Sequence, residues 1–187
     1  MSSELDYALP EALIAQHPPA ERDGGRMLSV YEEQVADDFV RNFAEQVPAG
    51  ALVVLNDTRV IKARLFGKRA SVAGAQGAKV EVLLLNPVQP NELAAEWQAL
   101  LRCNRLLEDG AVVEVNDARL VIGRRFDDGS RAVTSDKPLL ELAEKFGHVP
   151  LPPYVRREDT AADEERYQTV FSRHMGSAAA PTARTRA

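Results

Sequence analysis

The stretch VVLNDTRVI, residues 53–61, sets four hydrogen-bonding side chains at the end of an apolar run. Asn56 offers a donor and an acceptor, Asp57 a carboxylate, Thr58 a hydroxyl and Arg59 a planar guanidinium suited to phosphate or carboxylate. Polar groups at the carboxyl edge of a buried strand are where α/β proteins commonly bind ligands. The same residues can instead end the strand in an Asx turn that satisfies its own backbone. Residue types alone leave both readings open.

Two further stretches carry usable chemistry. HVPLPPYVRR, residues 148–157, joins an aromatic, Tyr154, to Arg156 and Arg157 on a proline-stiffened loop. Aromatic plus arginine is a composition that stacks bases and grips phosphates, although a plain connector anchored by its tyrosine has the same composition. ERYQTVF, residues 165–171, brings Tyr167 and Gln168 close to the small-residue run GSAAAPT. That run permits close approach of a ligand to main-chain donors, and a flexible terminus is its bland alternative.

Other chemistries find no support. His17, His148 and His174 are scattered, and with Cys103 as the one cysteine no metal-ligand spacing exists, so no metal is expected. Neither GxGxxG nor GxxxxGK[ST] occurs. Cys103 reads as a small buried hydrophobe and fits a reducing cytosol.

The elements that must position these residues differ along the chain. Ala8–Ala15 reads as a short helix and Met27–Tyr31 as a strand. DFVRNFAEQV, residues 38–47, has apolar residues at helical spacing. Ala51–Leu55 is a continuous apolar run, the pattern of a strand buried on both faces. Short β-branched segments separated by Asp109-Gly110 and Asp127-Asp128-Gly129 turns follow, which suggests a small antiparallel barrel or sandwich. Pro138–Phe146 and the start of Asp163–Met175 read as helices. The expected fold class is therefore mixed α/β. A discontinuous α/β main domain, residues 1–61 and 137–187, is interrupted by an inserted antiparallel β-barrel at 62–136.

Bulk properties set the class of partner. The chain has 187 residues, 45% hydrophobic and 27% charged, with a formal net charge of −5. That charge argues against nonspecific nucleic-acid binding by the molecule as a whole. Yet from Thr58 to Val80 the basic residues Arg59, Lys62, Arg64, Lys68, Arg69 and Lys79 meet no acidic one. Such a stripe can steer a polyanion or simply protect a sheet edge. No run reaches the roughly 18 apolar residues of a membrane span, and the acidic N-terminus lacks a signal pattern, so a cytoplasmic protein is expected.

Taken together, LDYALPEALIAQHPPAERDGGRML, GALVVLNDTRVIKARLFGKR, KVEVLLL, HVPLPPYVRR, ERYQTVF and GSAAAPTA closely resemble the S-adenosylmethionine:tRNA ribosyltransferase-isomerases of queuosine biosynthesis. These stretches run from Leu5 to Ala183 in the family's order. The resemblance implies a tRNA-modifying enzyme that consumes S-adenosylmethionine as co-substrate and needs no metal. Its partner would be a tRNA carrying 7-aminomethyl-7-deazaguanine at the wobble position, its product epoxyqueuosine, and its state a monomer. By position, Asp57 and Arg59 become catalytic candidates. Asn56, Thr58, Tyr154, Arg156, Tyr167, Gln168, Ser177, Pro181 and Thr182 become candidates for binding.

One departure stands out. Where the family continues from APTA into a glycine-leucine-histidine-phenylalanine segment and a much longer chain, this sequence reads Arg184-Thr185-Arg186-Ala187. The resemblance therefore implies a C-terminally truncated member, with impaired folding outside the β insert and little activity alone. The competing expectations are an inactive remnant that binds RNA through its basic stripe, and a fragment that complements a second chain.

Overall fold

A computed structural model describes residues 7–70, 77–89 and 95–177. Its architecture is mixed α/β, with a closed antiparallel barrel of six strands and a separate parallel strand pair. The barrel is built from β4 (Arg64–Arg69), β5 (Lys79–Pro87), β6 (Glu96–Cys103), β7 (Val112–Val115), β8 (Ala118–Arg125) and β9 (Arg131–Ser135). The strands run in the order β4-β5-β6-β9-β8-β7, and β7 closes onto β4 through Lys68 opposite Glu114.

Period-two alternation explains the barrel. Leu65, Val80, Val82, Leu84, Val113, Val115, Leu120, Ile122 and Val133 point inward and are essentially fully buried. Each such aliphatic side chain contributes about 1.5–3 kcal/mol relative to exposure. The helix α2 (Leu139–Phe146) packs Leu139, Leu142 and Ala143 onto the same core. Gly147 ends it where a β-carbon would lie 2.0 Å from Lys62 O and 2.3 Å from Ala143 O. That close approach lets His148 pair with Arg64, its N–H donating to Arg64 O at 2.8 Å. The loop 148–157 is thus fixed to the first barrel strand.

Several expectations about the first third need correction. Ala8–Ala15 yields only a 3-10 turn at Glu11–Leu13. The expected helix over 38–47 is split, because β1 (Arg26–Tyr31) pairs with β2 (Gln34–Phe39) and holds Asp38 and Phe39 extended. Asp38 instead accepts from Phe39 N, Asn42 and Gln46, bonds that hold its carboxyl below the usual range. Helical structure survives as a 3-10 turn at Val40–Asn42 and as α1 (Phe43–Gln46). Most consequentially, Ala51–Leu55 is neither a strand nor buried. Leu52 is 90% exposed and Val54 83%. An apolar run states that its side chains favour burial; it does not supply the neighbours.

The last described stretch is helical at its start, as expected: α3 spans Ala161–Arg166. It starts in a reciprocal cap, with Thr160 Oγ1 and N both donating to Asp163. It stops because Gln168 and Thr169 turn to bond the backbone near β3 (Thr58–Val60), and the chain then forms β10 (His174–Ser177). Cys103 is only half-buried on β6.

Candidate substrate cleft

The parallel pair β3–β10 is the frame of the site. His174 lies opposite Thr58 and Met175 opposite Arg59, with a register shift before Ser177 opposite Val60. Gly176 sits at that shift with φ of 153°, a conformation that favours glycine. Just before β3, Asp57 O accepts from Arg173 N at 2.6 Å and His174 N at 3.1 Å. Asn56 Oδ1 accepts from Thr58 N at 2.8 Å, so an Asx turn does close this corner. Thr169 Oγ1 donates to Asn56 O at 3.2 Å. The Asp57 carboxylate lies 3.6 Å from His174 Nε2, both side chains being well exposed.

Beside this frame lies an open cleft of about 340 Å³, lined by Arg22, Arg59, Glu164, Glu165, Gln168 and Ser172 among others. Arg22 is committed to its wall, donating to the main-chain oxygens of Gln168 and Glu165. Gln168 is committed too, through both ends of its amide to Val60. The Arg59 side chain is exposed and has no hydrogen-bond or ion-pair partner among the described residues. A free guanidinium on a polar cleft is a ready fork for a carboxylate or phosphate.

The loop 148–157 forms a second cluster. Arg156 makes a two-pronged pair with Glu11 at 2.6 and 2.8 Å, and its N–H donates to Gln16 Oε1. Gln16 Nε2 in turn donates to Tyr154 O at 3.0 Å, leaving the tyrosine ring half-exposed. Arg157 donates to Gln16 O and grips Asp163 with two bonds of 2.6 and 2.7 Å. That grip, together with the Thr160 bonds, holds the buried Asp163 carboxyl far below the usual carboxylate range. Arg166 Nη2 donates to Pro19 O at 2.5 Å, so residues 16–22 run as a strap across both clusters.

Asn56, Thr58, Arg59 and Gln168 are therefore brought together, with Asp57 at their edge. Tyr154 and Arg156 belong to the neighbouring loop. Tyr167 caps α3, its N–H bonded to Asp163 O. The backbone of Ser177 ends β10, and Pro181 and Thr182 lie outside the described residues.

A family model described as queuosine biosynthesis protein matches residues 2–186. The chain belongs to the queuosine biosynthesis protein family. Among its relatives, the S-adenosylmethionine:tRNA ribosyltransferase-isomerase of Sorangium cellulosum is 40% identical, over 96% of this chain and 54% of that protein. The one from Solibacter usitatus is 41% identical over 97% of this chain and 56% of its own length. The chain thus spans about half the length of the curated relatives it matches. A crystal structure of S-adenosylmethionine tRNA ribosyltransferase from Thermotoga maritima aligns with 82% of the chain and 52% of its own, at 28% identity and a TM-score of 0.37.

Within this queuosine-family chain, the basic stripe is partly consumed by internal contacts. Lys62 faces Glu164 at 3.4 Å, Arg64 donates to Leu151 O and lies beside Glu81, and Arg69 donates to Leu106 O. Arg59, Lys68 and Lys79 stay exposed. No group of three or more His, Cys, Asp or Glu able to hold a metal occurs among the described residues, nor does a helix long and apolar enough to cross a membrane. Sequence reasoning missed Glu11, Gln16, Arg22 and Asp163. Only the last had a readable signal, the threonine three residues before an acidic one that marks a helix cap.

Proposed function

We propose that the chain supplies the co-substrate cleft of an S-adenosylmethionine:tRNA ribosyltransferase-isomerase. The reaction moves the ribosyl part of S-adenosylmethionine onto 7-aminomethyl-7-deazaguanine at the tRNA wobble position and isomerises it. Epoxyqueuosine forms, and adenine and methionine leave. A tRNA substrate places this work in the cytoplasm.

Family membership supports the reaction, and the unpaired Arg59 guanidinium on the cleft is the observation that favours this cleft for it. The sulfonium of the co-substrate acidifies its 5′-carbon, so a positioned base can remove a proton there and start loss of adenine. The aminomethyl nitrogen then attacks a partner already held in place. Arg59 is assigned to an anionic group of either substrate, and Asp57, 3.6 Å from His174, to the rim where protons move. Asn56, Thr58, Tyr167 and Gln168 are assigned to binding around the cleft, and Tyr154 and Arg156 to the adjoining contact with RNA.

Calorimetric binding of S-adenosylmethionine and of the modified tRNA tests this, with adenine release followed in the same mixtures. Binding of both substrates, with co-substrate binding lost in Arg59→Ala, is the expected result. A chain that binds tRNA alone, with unchanged affinity in Arg59→Ala, is an RNA-binding module instead; a chain that binds neither overturns the proposal outright.

A further inference from the structure

The outer face of the barrel carries a patch that the cleft does not use. Phe66 on β4 lies opposite Glu81 on β5, and Glu81 opposite Arg102 on β6. Two residues along β4, Lys68 lies opposite Lys79. Phe66 is 52% exposed and meets the His148 ring edge-on, with centroids 5.1 Å apart and planes at 64°. Asp159 fixes that second ring. One of its carboxylate oxygens accepts from His148 Nδ1 at 2.8 Å, the other from Val149 N at 2.8 Å. The imidazole is half-exposed, and its Nε2 has no partner among the described residues.

The cations around these rings are uncommitted. The side chains of Lys68, Lys79 and Arg102 are exposed and make no ion pair or hydrogen bond among the described residues. Glu81, the acid in the middle of the patch, lies 2.9 Å from Arg64 Nε and is neutralised there. Glu114, across from Lys68 on β7, is left as the one free carboxylate facing three cations. Guarding a sheet edge does not explain the lysines, because the barrel is closed and has no edge. Core packing does not explain Phe66, because its neighbours Leu65 and Gly67 are the residues that face inward. Strand geometry puts Lys68 about 7 Å from Phe66 along β4 and Arg102 about 10 Å away across two strand spacings. Open rings among free cations suit a single-stranded nucleic acid, whose bases stack on rings while its phosphates meet the charges.

We propose that this face of β4–β6 docks an unpaired segment of RNA. One base packs on Phe66 and His148, and Lys68, Lys79 and Arg102 hold the flanking phosphates. The choice of RNA rests on the tRNA substrate proposed above; the surface rests on the rings and the charges. His148 opens the loop that carries Tyr154 and Arg156, so the patch is continuous with the RNA contact assigned there.

Fluorescence anisotropy with a labelled RNA hairpin, free of modified base and of S-adenosylmethionine, tests this against a duplex of the same stem. The hairpin is expected to bind more tightly than the duplex. Phe66→Ala is expected to weaken hairpin binding at least about fivefold, the loss of one stacked base, with an unchanged salt slope. Phe66→Tyr keeps a stacking ring and is expected to retain native affinity. Lys79→Gln is expected to lower the slope of log affinity against log salt by about 0.7. No hairpin binding, equal binding of hairpin and duplex, or hairpin binding indifferent to Phe66→Ala overturns the proposal. So does a Phe66→Tyr chain as weak as Phe66→Ala. Hairpin binding that depends on Phe66, in a chain that does not bind S-adenosylmethionine, leaves this inference standing and removes the proposed reaction. Co-substrate binding that depends on Arg59, with hairpin binding indifferent to Phe66, does the reverse.

Discussion

The side-chain amide of Gln168 closes on both polar groups of the Val60 backbone: Oε1 accepts from Val60 N at 2.8 Å, and Nε2 donates to Val60 O at 2.9 Å. Val60 is 5% exposed, so neither group has easy access to water as a substitute. One residue thus performs the pairing of a missing strand neighbour, and it ties the end of α3 to the strand that carries Arg59. With both ends of its amide engaged, Gln168 shapes the cleft by position.

Gln168→Ala is therefore expected to destabilise the chain by about 1–3 kcal/mol, the cost of buried groups left unpaired. Gln168→Glu separates the two bonds. Its carboxylate can accept from Val60 N but sets a bare oxygen against Val60 O. Only the protonated acid restores both contacts, so the folded state raises the carboxyl pKa. That stabilisation is present below the unfolded value of about 4.3 and is lost as pH rises through the folded one. Denaturant midpoints should show the deficit of Gln168→Glu against the native chain shrinking in acid. A deficit that is flat with pH rules out the two-ended clasp.

Asp163 gives the opposite sign. Arg157 and the Thr160 cap depress its carboxyl, so its contribution is present above about pH 4 and is lost as pH falls through the depressed value. Asp163→Ala removes one partner of a buried pair, an expected cost of about 3–5 kcal/mol. Asp163→Asn keeps the shape without the charge and should flatten the acid limb of stability measured between pH 5 and 2. An unchanged acid limb in Asp163→Asn places the charge elsewhere.

What the residues alone disclose follows the range of the interactions involved. The barrel is legible because alternation in KVEVLLL and ARLVI, and turns such as Asp109-Gly110, are local signals. The Asx turn of Asn56 is equally local. The pairing of β3 with β10 is not, since nothing in HMGS announces Thr58 as its neighbour. The strap is hidden for the same reason: Arg22, Arg157 and Arg166 bond main-chain oxygens, and a main-chain oxygen has no sequence signature. Helical spacing at Phe39, Val40 and Phe43 was real but lost to the β1–β2 ladder, which engages Phe39 opposite Arg26.

Gly147 is where the barrel and the cleft loop are joined, and it supplies the last prediction. Its backbone is ordinary, with φ of −79° and ψ of 161°, so any residue can adopt its conformation. The constraint is space. An added β-carbon would meet two backbone oxygens, at 2.0 and 2.3 Å, and backbone cannot rotate aside as a flexible side chain does. Gly147→Ala must therefore push α2 away from Lys62 or break the His148–Arg64 pairing, in which His148 N donates to Arg64 O at 2.8 Å. Either movement also displaces Val149, whose N–H donates to Asp159 at 2.8 Å, and with it the loop that holds Tyr154 and Arg157. Overpacking of this kind costs about 1–3 kcal/mol or more. Amide exchange should rise at His148 and Val149 while Val80, Val82 and Leu120 in the barrel stay protected. Uniform loosening of the barrel strands would instead show that the contact supports the whole barrel and not the junction alone.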